Sequence, residues 1–190
     1  SRIGSKFIYP AAGYAGSSFP KDVKAIIKIA EENGYELKVM KAVEKANDFQ
    51  RTVMFRKINQ HFKGKLEKKI IGIWGLSFKP KTDDIRESSS VFLINMLLKQ
   101  NVKIKAYDPA AMDETRKLLG SRISYSDDQY EAINGVDAMA IMTEWSEFQL
   151  PDFEKMSSLM KGKIIFDGRN IYNPEELREK GFTYYGIGRK

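Results

Sequence analysis

The sequence has no cysteine and only one histidine, His61, among its 190 residues. Disulfides and thiolate metal sites are therefore excluded, and we predict neither a metal site nor a Ser-His-Asp triad. His61 is expected to be an exposed residue near a helix end. No apolar run approaches the roughly 20 residues that a membrane-spanning helix needs, and no signal-peptide core follows the first residues. We therefore expect a cytoplasmic protein with no membrane partner.

Positive charge is in excess, with a formal net charge of +7. The basic residues are scattered, with only short clusters such as that in 63–69. Such a charge suits nucleic acid, an acidic membrane face or an anionic small molecule. The interleaved basic and aromatic residues that bind single strands are lacking. An anionic small molecule therefore fits at least as well, and we expect no nucleic-acid partner.

The first third of the chain is predicted to be helical. Residues 1–19 are rich in glycine, alanine and serine, which is typical of a loop, and helical spacing then runs from Pro20 to the stop signal Asn33-Gly34. A longer helix with an apolar stripe is predicted over 37–62. Such a helix must bury its stripe against another element or another subunit, and the pattern leaves both possibilities open.

From residue 65 onward, short apolar segments alternate with helical ones. Strands are predicted at 70–74, 103–107, 123–125, 138–142, 164–166 and 182–187, and helices at 91–98, 112–119, 129–133, 153–160 and 175–180. Right-handed crossovers between such strands predict an α/β fold with a doubly wound parallel sheet. The polar linker 63–69 divides the chain into two predicted domains, 1–62 and 63–190.

Ligands of open α/β sheets bind beyond the carboxyl ends of the strands. Three segments would lie there, namely 75–88, 107–109 and 166–170. Lys79, Lys81 and Arg86 of the first segment suit a phosphate beside helix amides, or are solvated surface charges. Gly72 and Gly75 do not complete the Gly-x-Gly-x-x-Gly fingerprint of a dinucleotide site.

Other residues have the chemistry of ligand groups. Asp167 can hold its loop, and Arg169 can bind a planar anion. Ser18 precedes the first helix, where a hydroxyl can cap backbone amides. Lys21 and Asp22 in the first turn are either surface charges, or a phosphate contact and an acid–base group.

Taken together, these segments resemble the UDP-glucose dehydrogenase family. The matching pieces, in family order and spacing, are Gly13-Tyr-Ala-Gly-Ser-Ser-Phe-Pro-Lys-Asp22, Gly75-Leu-Ser-Phe-Lys-Pro-Lys-Thr-Asp-Asp-Ile-Arg-Glu-Ser88, Tyr107-Asp-Pro109, Thr143-Glu-Trp145 and Phe166-Asp-Gly-Arg169. The related GDP-mannose and UDP-N-acetylmannosamine dehydrogenases differ around the first motif, which favours UDP-glucose. Members of the family use two NAD molecules to oxidise UDP-glucose to UDP-glucuronate.

The resemblance also implies an architecture. Family members have an NAD-binding domain, a central helical domain that holds the dimer, and a UDP-binding domain. The first is expected to be missing here, with 1–62 the end of the central domain and 63–190 the UDP domain. The implied fold is a helical segment with a long dimerisation helix, 37–62, followed by a Rossmann-like doubly wound parallel sheet. UDP-glucose or UDP-glucuronate and a second copy of the chain are the implied partners.

Site residues follow from the resemblance by position. Ser18 stands where the family has its catalytic cysteine, and Asp22 matches the acid that helps to activate water. The residues implied in UDP-sugar binding are Arg2, which would reach the neighbouring subunit, and Phe7, Tyr9, Gly13, Tyr14, Ala15, Phe78, Lys79 and Arg169. Lys21 and Arg86 match contacts to the NAD cofactor.

The chain departs from the family at the nucleophile, because it reads Ala15-Gly-Ser-Ser18 where the family reads Gly-Gly-Ser-Cys. Ala11 and Ala12 also stand where bacterial members usually have glycine and cysteine. A thiol with a pKa of about 8.5 is partly ionised at neutral pH, whereas a serine hydroxyl without an adjacent base is a weak nucleophile. We therefore expect UDP-sugar binding and dimerisation without turnover by this chain alone. The alternative is a catalytically dead dimerisation or interaction module.

Overall fold

The computed structural model describes Gly4 and residues 8–189 of the chain, so the predicted site residues Arg2 and Phe7 lie outside the described residues. Two helices come first, α1 (Phe19–Glu32) and α2 (Lys38–His61). Pro20 occupies the first turn of α1, where its missing amide hydrogen costs no helical hydrogen bond. Both helices therefore lie where the spacing of apolar residues predicts them.

Six parallel strands follow, in the spatial order β3-β2-β1-β4-β5-β6. The strands are β1 (Ile70–Trp74), β2 (Lys103–Tyr107), β3 (Ser124–Tyr125), β4 (Ala138–Ile141), β5 (Ile164–Asp167) and β6 (Thr183–Gly186). The remaining helices are α3 (Ser89–Leu98), α4 (Met112–Leu119), α5 (Ser146–Gln149), α6 (Phe153–Leu159) and α7 (Pro174–Glu179). This arrangement confirms the predicted Rossmann-like doubly wound parallel sheet.

Local structure departs from the sequence prediction between β3 and β5. The helix predicted over 129–133 is only a 3₁₀ turn, Glu131–Ile133. The Asp128 carboxylate accepts hydrogen bonds from the amides of Tyr130 and Glu131 and holds this single turn, and Asn134 then adopts extended backbone. The short helix α5 is not predicted, because four residues are too few to show helical periodicity.

Side chains of each central strand alternate between two buried layers, as the pleat of a strand requires. Ile71 and Ile73 of β1 lie in one apolar cluster, and Trp74 lies in the other. The first cluster is completed by Met54 and Ile58 of α2 and by Leu93, Ile94 and Leu97 of α3, and the second by Phe148, Met156 and Leu177. Helices therefore cover both faces of the sheet.

The two halves of α2 have different surroundings. Met54 and Ile58 in its second half are fully buried against the sheet. In the first half, Val39 is 76% exposed and Phe49 is 58% exposed. The predicted apolar stripe is thus partly a core contact and partly a free surface. Among the described residues, no helix is both long enough and apolar enough to cross a lipid bilayer.

The prediction that His61 lies at a helix end is confirmed, because α2 ends at this residue, but the prediction that it is exposed is wrong, because it is half-buried. Its Nδ1 atom lies 2.8 Å from the hydroxyl of Tyr185 on β6, and its ring packs edge-on against Phe62, Phe166 and Tyr185. The error arises because the end of α2 lies over strands β5 and β6. Burial there lowers the pKa of His61 below its ordinary value of 6.5.

We predict that this burial makes the stability of the chain sensitive to pH. The unfolded chain binds the histidine proton more tightly than the folded chain does. The contribution of neutral His61 to the free energy of unfolding is therefore complete above pH 6.5 and is lost as the pH falls from 6.5 toward the folded pKa.

Urea unfolding at about pH 7.5 and about pH 5.5, on either side of the ordinary histidine pKa, measures this loss. The control is His61→Gln, which keeps a polar side chain but does not titrate. The wild-type chain should lose more stability than the variant over this interval. Equal losses in both proteins would contradict the prediction.

Candidate functional site

The carboxyl edge of the sheet has a switch in topology between β1 and β4. The chain leaves β1 toward β2 on one side, and it leaves β4 toward β5 on the other. Connections that diverge in this way open a crevice at the carboxyl ends of the two strands, where ligands of such sheets bind. The segments after β1, β4 and β5 are therefore the walls of the candidate site.

The carboxylate of Asp108, directly after β2, joins the loops at this edge. Asp108 is almost fully buried. Its Oδ2 atom accepts hydrogen bonds from the backbone amides of Leu76 (2.7 Å) and Ser77 (3.0 Å), the Ser77 hydroxyl (3.1 Å) and Trp145 Nε1 (3.1 Å), while Oδ1 accepts from the amides of Ala110 (2.9 Å) and Ala111 (2.8 Å). One buried charge thus holds the segments that follow β1, β2 and β4. The motif 107–109 alone does not indicate this role of Asp108, because its partners are distant in the sequence.

Hydroxyl groups fill the turn between β1 and α3. The side chains of Ser88 and Ser90 donate to the carbonyls of Leu76 and Gly75, each at 2.7 Å. A Cβ atom on Gly75, whose φ is +91°, would lie 2.5 Å from Cβ of Thr143. The turn after β1 is therefore packed closely against Thr143, which follows β4.

Arg169 lies on a rigid loop after β5. The buried carboxylate of Asp167 accepts hydrogen bonds from the Arg169 amide (2.9 Å), the Tyr172 amide (3.2 Å) and the Tyr184 hydroxyl (3.0 Å). Burial raises the pKa of Asp167 even though these donors favour its charged form. Asp167, the last residue of β5, thus holds the loop that follows, as predicted from the sequence.

The Arg169 guanidinium has a carboxylate partner that sequence reasoning missed. Its Nη2 atom lies 2.6 Å from Oε1 of Glu144, which follows β4. The two side chains are 22% and 31% exposed, and Oε2 of Glu144 is buried with no hydrogen-bond partner among the described residues. The pair therefore joins the segments that follow the neighbouring strands β4 and β5, and part of its hydrogen-bonding capacity is unused.

The loop at 11–16 covers this edge and is bound on two sides. On the α2 side, Asn47 bonds both to the amide (2.8 Å) and to the carbonyl (3.2 Å) of Tyr14, and Gln50 donates to the Ala11 carbonyl at 2.7 Å. On the sheet side, the Ser89 hydroxyl donates to the Ala12 carbonyl at 2.7 Å, and the Gly16 amide donates to the Arg86 carbonyl at 3.1 Å. The 11–16 loop is therefore closed over the strand ends.

Four of the predicted substrate residues line one cavity under this loop, namely Gly13, Ala15, Phe78 and Arg169, together with Ala12, Ser77, Ser88, Ser89 and Met142. The cavity has a volume of about 10 Å³, which is room for about one water molecule. A sugar nucleotide can enter only if the 11–16 loop moves away from the sheet.

The other described substrate candidates lie outside the cavity lining. Tyr9 and Lys79 are exposed, and the Lys79 ammonium lies 5.3 Å from the centre of the Phe78 ring. Tyr14 donates its hydroxyl hydrogen to Glu44 on α2. Burial, followed by that contact with Glu44, raises the pKa of Tyr14 to about 12. These residues flank the cavity or face α2.

The predicted catalytic and cofactor residues lie at the start of α1 and in the β1–α3 loop. Ser18 is exposed and makes no side-chain cap to the helix amides, so its interpretation as a cap is wrong. Lys21 and Asp22 are exposed in the first turn, 3.9 Å apart at Nζ and Oδ1. Arg86 is also exposed, and its hydrogen bond to Asp84 lowers the pKa of that carboxyl group.

These exposed cations fit phosphate groups by charge, but they form no dinucleotide cradle of their own. Among the described residues, no three histidine, aspartate or glutamate side chains lie close enough together to hold a metal ion. The arrangement can therefore bind an anionic ligand from the carboxyl edge.

A six-stranded parallel sheet in this order, with helices on both faces, defines a Rossmann-like domain. Residues 72–174 match the family model described as the UDP-binding domain of the UDP-glucose/GDP-mannose dehydrogenase family, and residues 1–49 match the model of that family's central domain. The chain belongs to the UDP-glucose/GDP-mannose dehydrogenase family.

Individual relatives are similar over nearly the whole chain. A UDP-glucose 6-dehydrogenase from Pseudomonas aeruginosa is 41% identical over 99% of this chain and 43% of its own length. UDP-glucose 6-dehydrogenase TuaD from Bacillus subtilis is 38% identical over 100% of this chain and 41% of its own length. The structure of a UDP-glucose dehydrogenase from Pyrobaculum islandicum superposes with a TM-score of 0.85 at 32% identity, covering 100% of this chain and 41% of that one. The chain thus spans about two-fifths of these relatives.

The network around Asp108 generates a stability prediction. Asp108→Asn replaces an acceptor oxygen by an amide group, which cannot accept from the buried backbone amides facing it. We expect the free energy of unfolding to fall by about 3 kcal/mol, as for lost hydrogen bonds to a buried charge.

The matched control is Asp113→Asn on α4, where the aspartate side chain is 85% exposed. Its effect should stay within about 0.5 kcal/mol. Urea denaturation measures both variants. A loss for Asp108→Asn no larger than that for the control would disprove the anchoring role of Asp108.

Proposed function

We propose that this chain is the sugar-nucleotide-binding part of a UDP-glucose 6-dehydrogenase, with residues 1–62 ending the central domain and 63–190 forming the UDP-binding domain. It binds UDP-glucose or UDP-glucuronate and dimerises, but does not turn over alone. The observation that carries the proposal is the shared cavity of Gly13, Ala15, Phe78 and Arg169 at the switch point of the sheet.

Charge and geometry support an anionic ligand at this place. Arg169 presents a planar guanidinium, which can bind phosphate through two parallel N–H donors. Its loop is held by the buried Asp167, so little side-chain and backbone freedom is lost on binding. Lys79 adds a mobile positive charge beside Phe78. The 11–16 loop then covers the ligand on the side away from the sheet.

The choice of sugar nucleotide rests on the relatives. The Pseudomonas and Bacillus proteins are UDP-glucose 6-dehydrogenases, and they match nearly the whole chain. The closed loop is also lined by small residues, among them Ala12, Gly13 and Ala15, which let backbone lie close to a sugar. UDP-glucose, or its oxidised product, is therefore the ligand that we assign.

The predicted catalytic pair does not support efficient chemistry in this chain. Ser18 is exposed, and among the described residues the single histidine is committed to Tyr185 at the far end of α2. A hydroxyl without a base does not match the thiolate at this position in the family. Asp22 is placed one helical turn from Ser18, where it can hold a water molecule for hydrolysis.

NAD, when bound to a family member, accepts the hydride from the sugar. In this chain Lys21 and Arg86 supply exposed positive charge for its phosphates, at the rim beside the 11–16 loop. The fingerprint that would hold the dinucleotide is lacking in the described sheet. We therefore infer that Lys21 and Arg86 only complete a cofactor site whose main part belongs to another domain.

The test of the proposed function is calorimetric titration with UDP-glucose. The wild-type chain should bind, and Arg169→Gln should weaken binding by about 10- to 100-fold, the effect of losing a charged hydrogen bond. Arg169→Lys keeps the positive charge but loses the pair of parallel N–H donors. Its affinity for UDP-glucose should therefore lie between those of the wild-type chain and Arg169→Gln. The same samples supplied with NAD should give no NADH absorbance.

The control for this titration is Arg116→Gln, because Arg116 is an exposed arginine of α4. Its affinity should equal that of the wild-type chain. No heat up to millimolar UDP-glucose with wild-type protein would overturn the proposed binding. Turnover comparable to that of an ordinary dehydrogenase would overturn the proposed inactivity.

A second candidate function is a catalytically inactive dimerisation or interaction module. It is favoured by one exposed face of α2 that carries mainly apolar residues, namely Val39, Ala42, Val43, Ala46 and Phe49. Their spacing of three or four residues places all five on one side of the helix. The dimer that we propose through 37–62 uses this face, and the two candidates differ only in whether UDP-glucose binds.

The dimer has its own test. Val43→Glu places a charge in the centre of the apolar face and is expected to convert the dimer to a monomer on size exclusion. The control, Asp48→Lys, alters charge on a different face of α2 and should remain dimeric. A wild-type chain that already elutes as a monomer would contradict the proposed interface.

A further inference from the structure

The side-chain amide of Asn47 pairs with the backbone of the 11–16 loop as a neighbouring strand would. Its Oδ1 atom accepts from the Tyr14 amide at 2.8 Å, and its Nδ2 atom donates to the Tyr14 carbonyl at 3.2 Å. This exchange of two hydrogen bonds is the pattern of paired residues in an antiparallel ladder. Gln50, one turn further along the helix, donates to the Ala11 carbonyl at 2.7 Å. Neighbouring positions on α2 therefore bind the loop at two points.

The backbone beside Asn47 is shaped for this contact. Gly13 has a φ of +93°, and a Cβ atom there would lie 2.7 Å from Oδ1 of Asn47 and 2.9 Å from Cγ of Arg51. Any other residue at position 13 would meet both backbone strain and a clash. The need for glycine at position 13 and the two hydrogen bonds from Asn47 therefore have the same cause, which is the close approach of the loop to α2.

The contacts on the other side of the loop are of a different kind. Ser89 and the Arg86 carbonyl each make one hydrogen bond to the loop, at Ala12 and Gly16. The cavity on this side measures about 10 Å³, so a ligand entering it must separate the loop from the sheet. The two hydrogen bonds that join the loop to Ser89 and to the Arg86 carbonyl must then break, whereas the contacts between the loop and α2 can remain.

We propose that Asn47 is a positioning residue for the sugar-nucleotide site. It keeps the 11–16 loop attached to α2 in a set shape while the loop opens and closes on its sheet side. The loop therefore keeps its conformation when it moves, and a ligand does not lose binding free energy by ordering a flexible loop. This role rests on the proposed function, because it assumes that the cavity between the loop and Arg169 takes a UDP-sugar.

The first measurement needs no ligand. Amide hydrogen exchange at Tyr14, followed by NMR, should be about tenfold faster in Asn47→Ala, because the amide loses its acceptor. Alanine favours helix, so α2 itself is not weakened. Asn47→Asp keeps an acceptor oxygen and should restore the protection of this amide. Unchanged exchange at Tyr14 in Asn47→Ala would overturn the proposal.

The second measurement is calorimetric titration with UDP-glucose. Asn47→Ala should bind about tenfold more weakly than the wild-type chain. The matched control is Asn59→Ala on the same helix, since the Asn59 side chain contacts no part of the loop among the described hydrogen bonds. Its affinity and its Tyr14 exchange should equal those of the wild-type chain.

The outcomes distinguish failure of the positioning role of Asn47 from failure of the proposed UDP-glucose binding. If the wild-type chain binds UDP-glucose and Asn47→Ala binds equally well, the positioning role is wrong and the proposed function stands. If the wild-type chain does not bind UDP-glucose at all, the proposed function fails and the positioning role fails with it. Faster exchange at Tyr14 would then show only that Asn47 holds the loop.

Discussion

The buried carboxylate of Asp108 is the constraint on which the candidate site depends. Parallel strands end in separate loops, and a single charge after β2 gathers the backbone after β1, its own turn and the indole of Trp145 after β4. A buried charge is tolerated only when its hydrogen-bonding capacity is met, so these loops cannot drift apart without exposing unpaired groups. The loops at the carboxyl edge of the sheet are thus held in fixed positions, and Ser77 and Phe78 are fixed with them.

The rest of the candidate site is formed by α2 and the 11–16 loop, which covers the carboxyl edge of the sheet. The last turns of α2 are buried against the sheet, and the middle of the helix carries Asn47 and Gln50, which hold the loop. One continuous helix therefore connects the core of the domain, the cover of the cavity and the exposed apolar face. Formation or loss of the proposed dimer contact at that face would therefore affect the same helix that positions the 11–16 loop over the ligand site.

Much of the fold could be predicted from the sequence, because strand and helix periods are local properties. The limits of α1, α2 and the longer strands follow from apolar spacing within about ten residues. The grouping of Gly13, Ala15, Phe78 and Arg169 was expected only through the resemblance to a family, and the cavity is where the structure brings them together. Arg2 and Phe7 remain predictions.

The residues that sequence reasoning missed are those whose partners are distant in the chain. The Leu76 amide bonds to Asp108 across 32 residues, the Tyr14 amide bonds to Asn47 across 33, and His61 meets Tyr185 across 124. No local pattern shows that an asparagine in a helix will pair with a loop, or that a histidine at a helix end will lie against a sheet. The sequence shows Glu144 only as the middle residue of the motif Thr143-Glu-Trp145, and it does not show the ion pair of Glu144 with Arg169.

The central claim is that the carboxyl edge and the 11–16 loop form one site for a sugar nucleotide. A crystal structure of the chain with UDP-glucose tests it most directly. We predict the diphosphate against Arg169, the sugar under the 11–16 loop, and the loop displaced from Ser89 but still bonded to Asn47. The account would be contradicted by a ligand bound elsewhere, for example in the groove lined by Phe92 and Lys117, with the loop unmoved and Arg169 still paired only with Glu144.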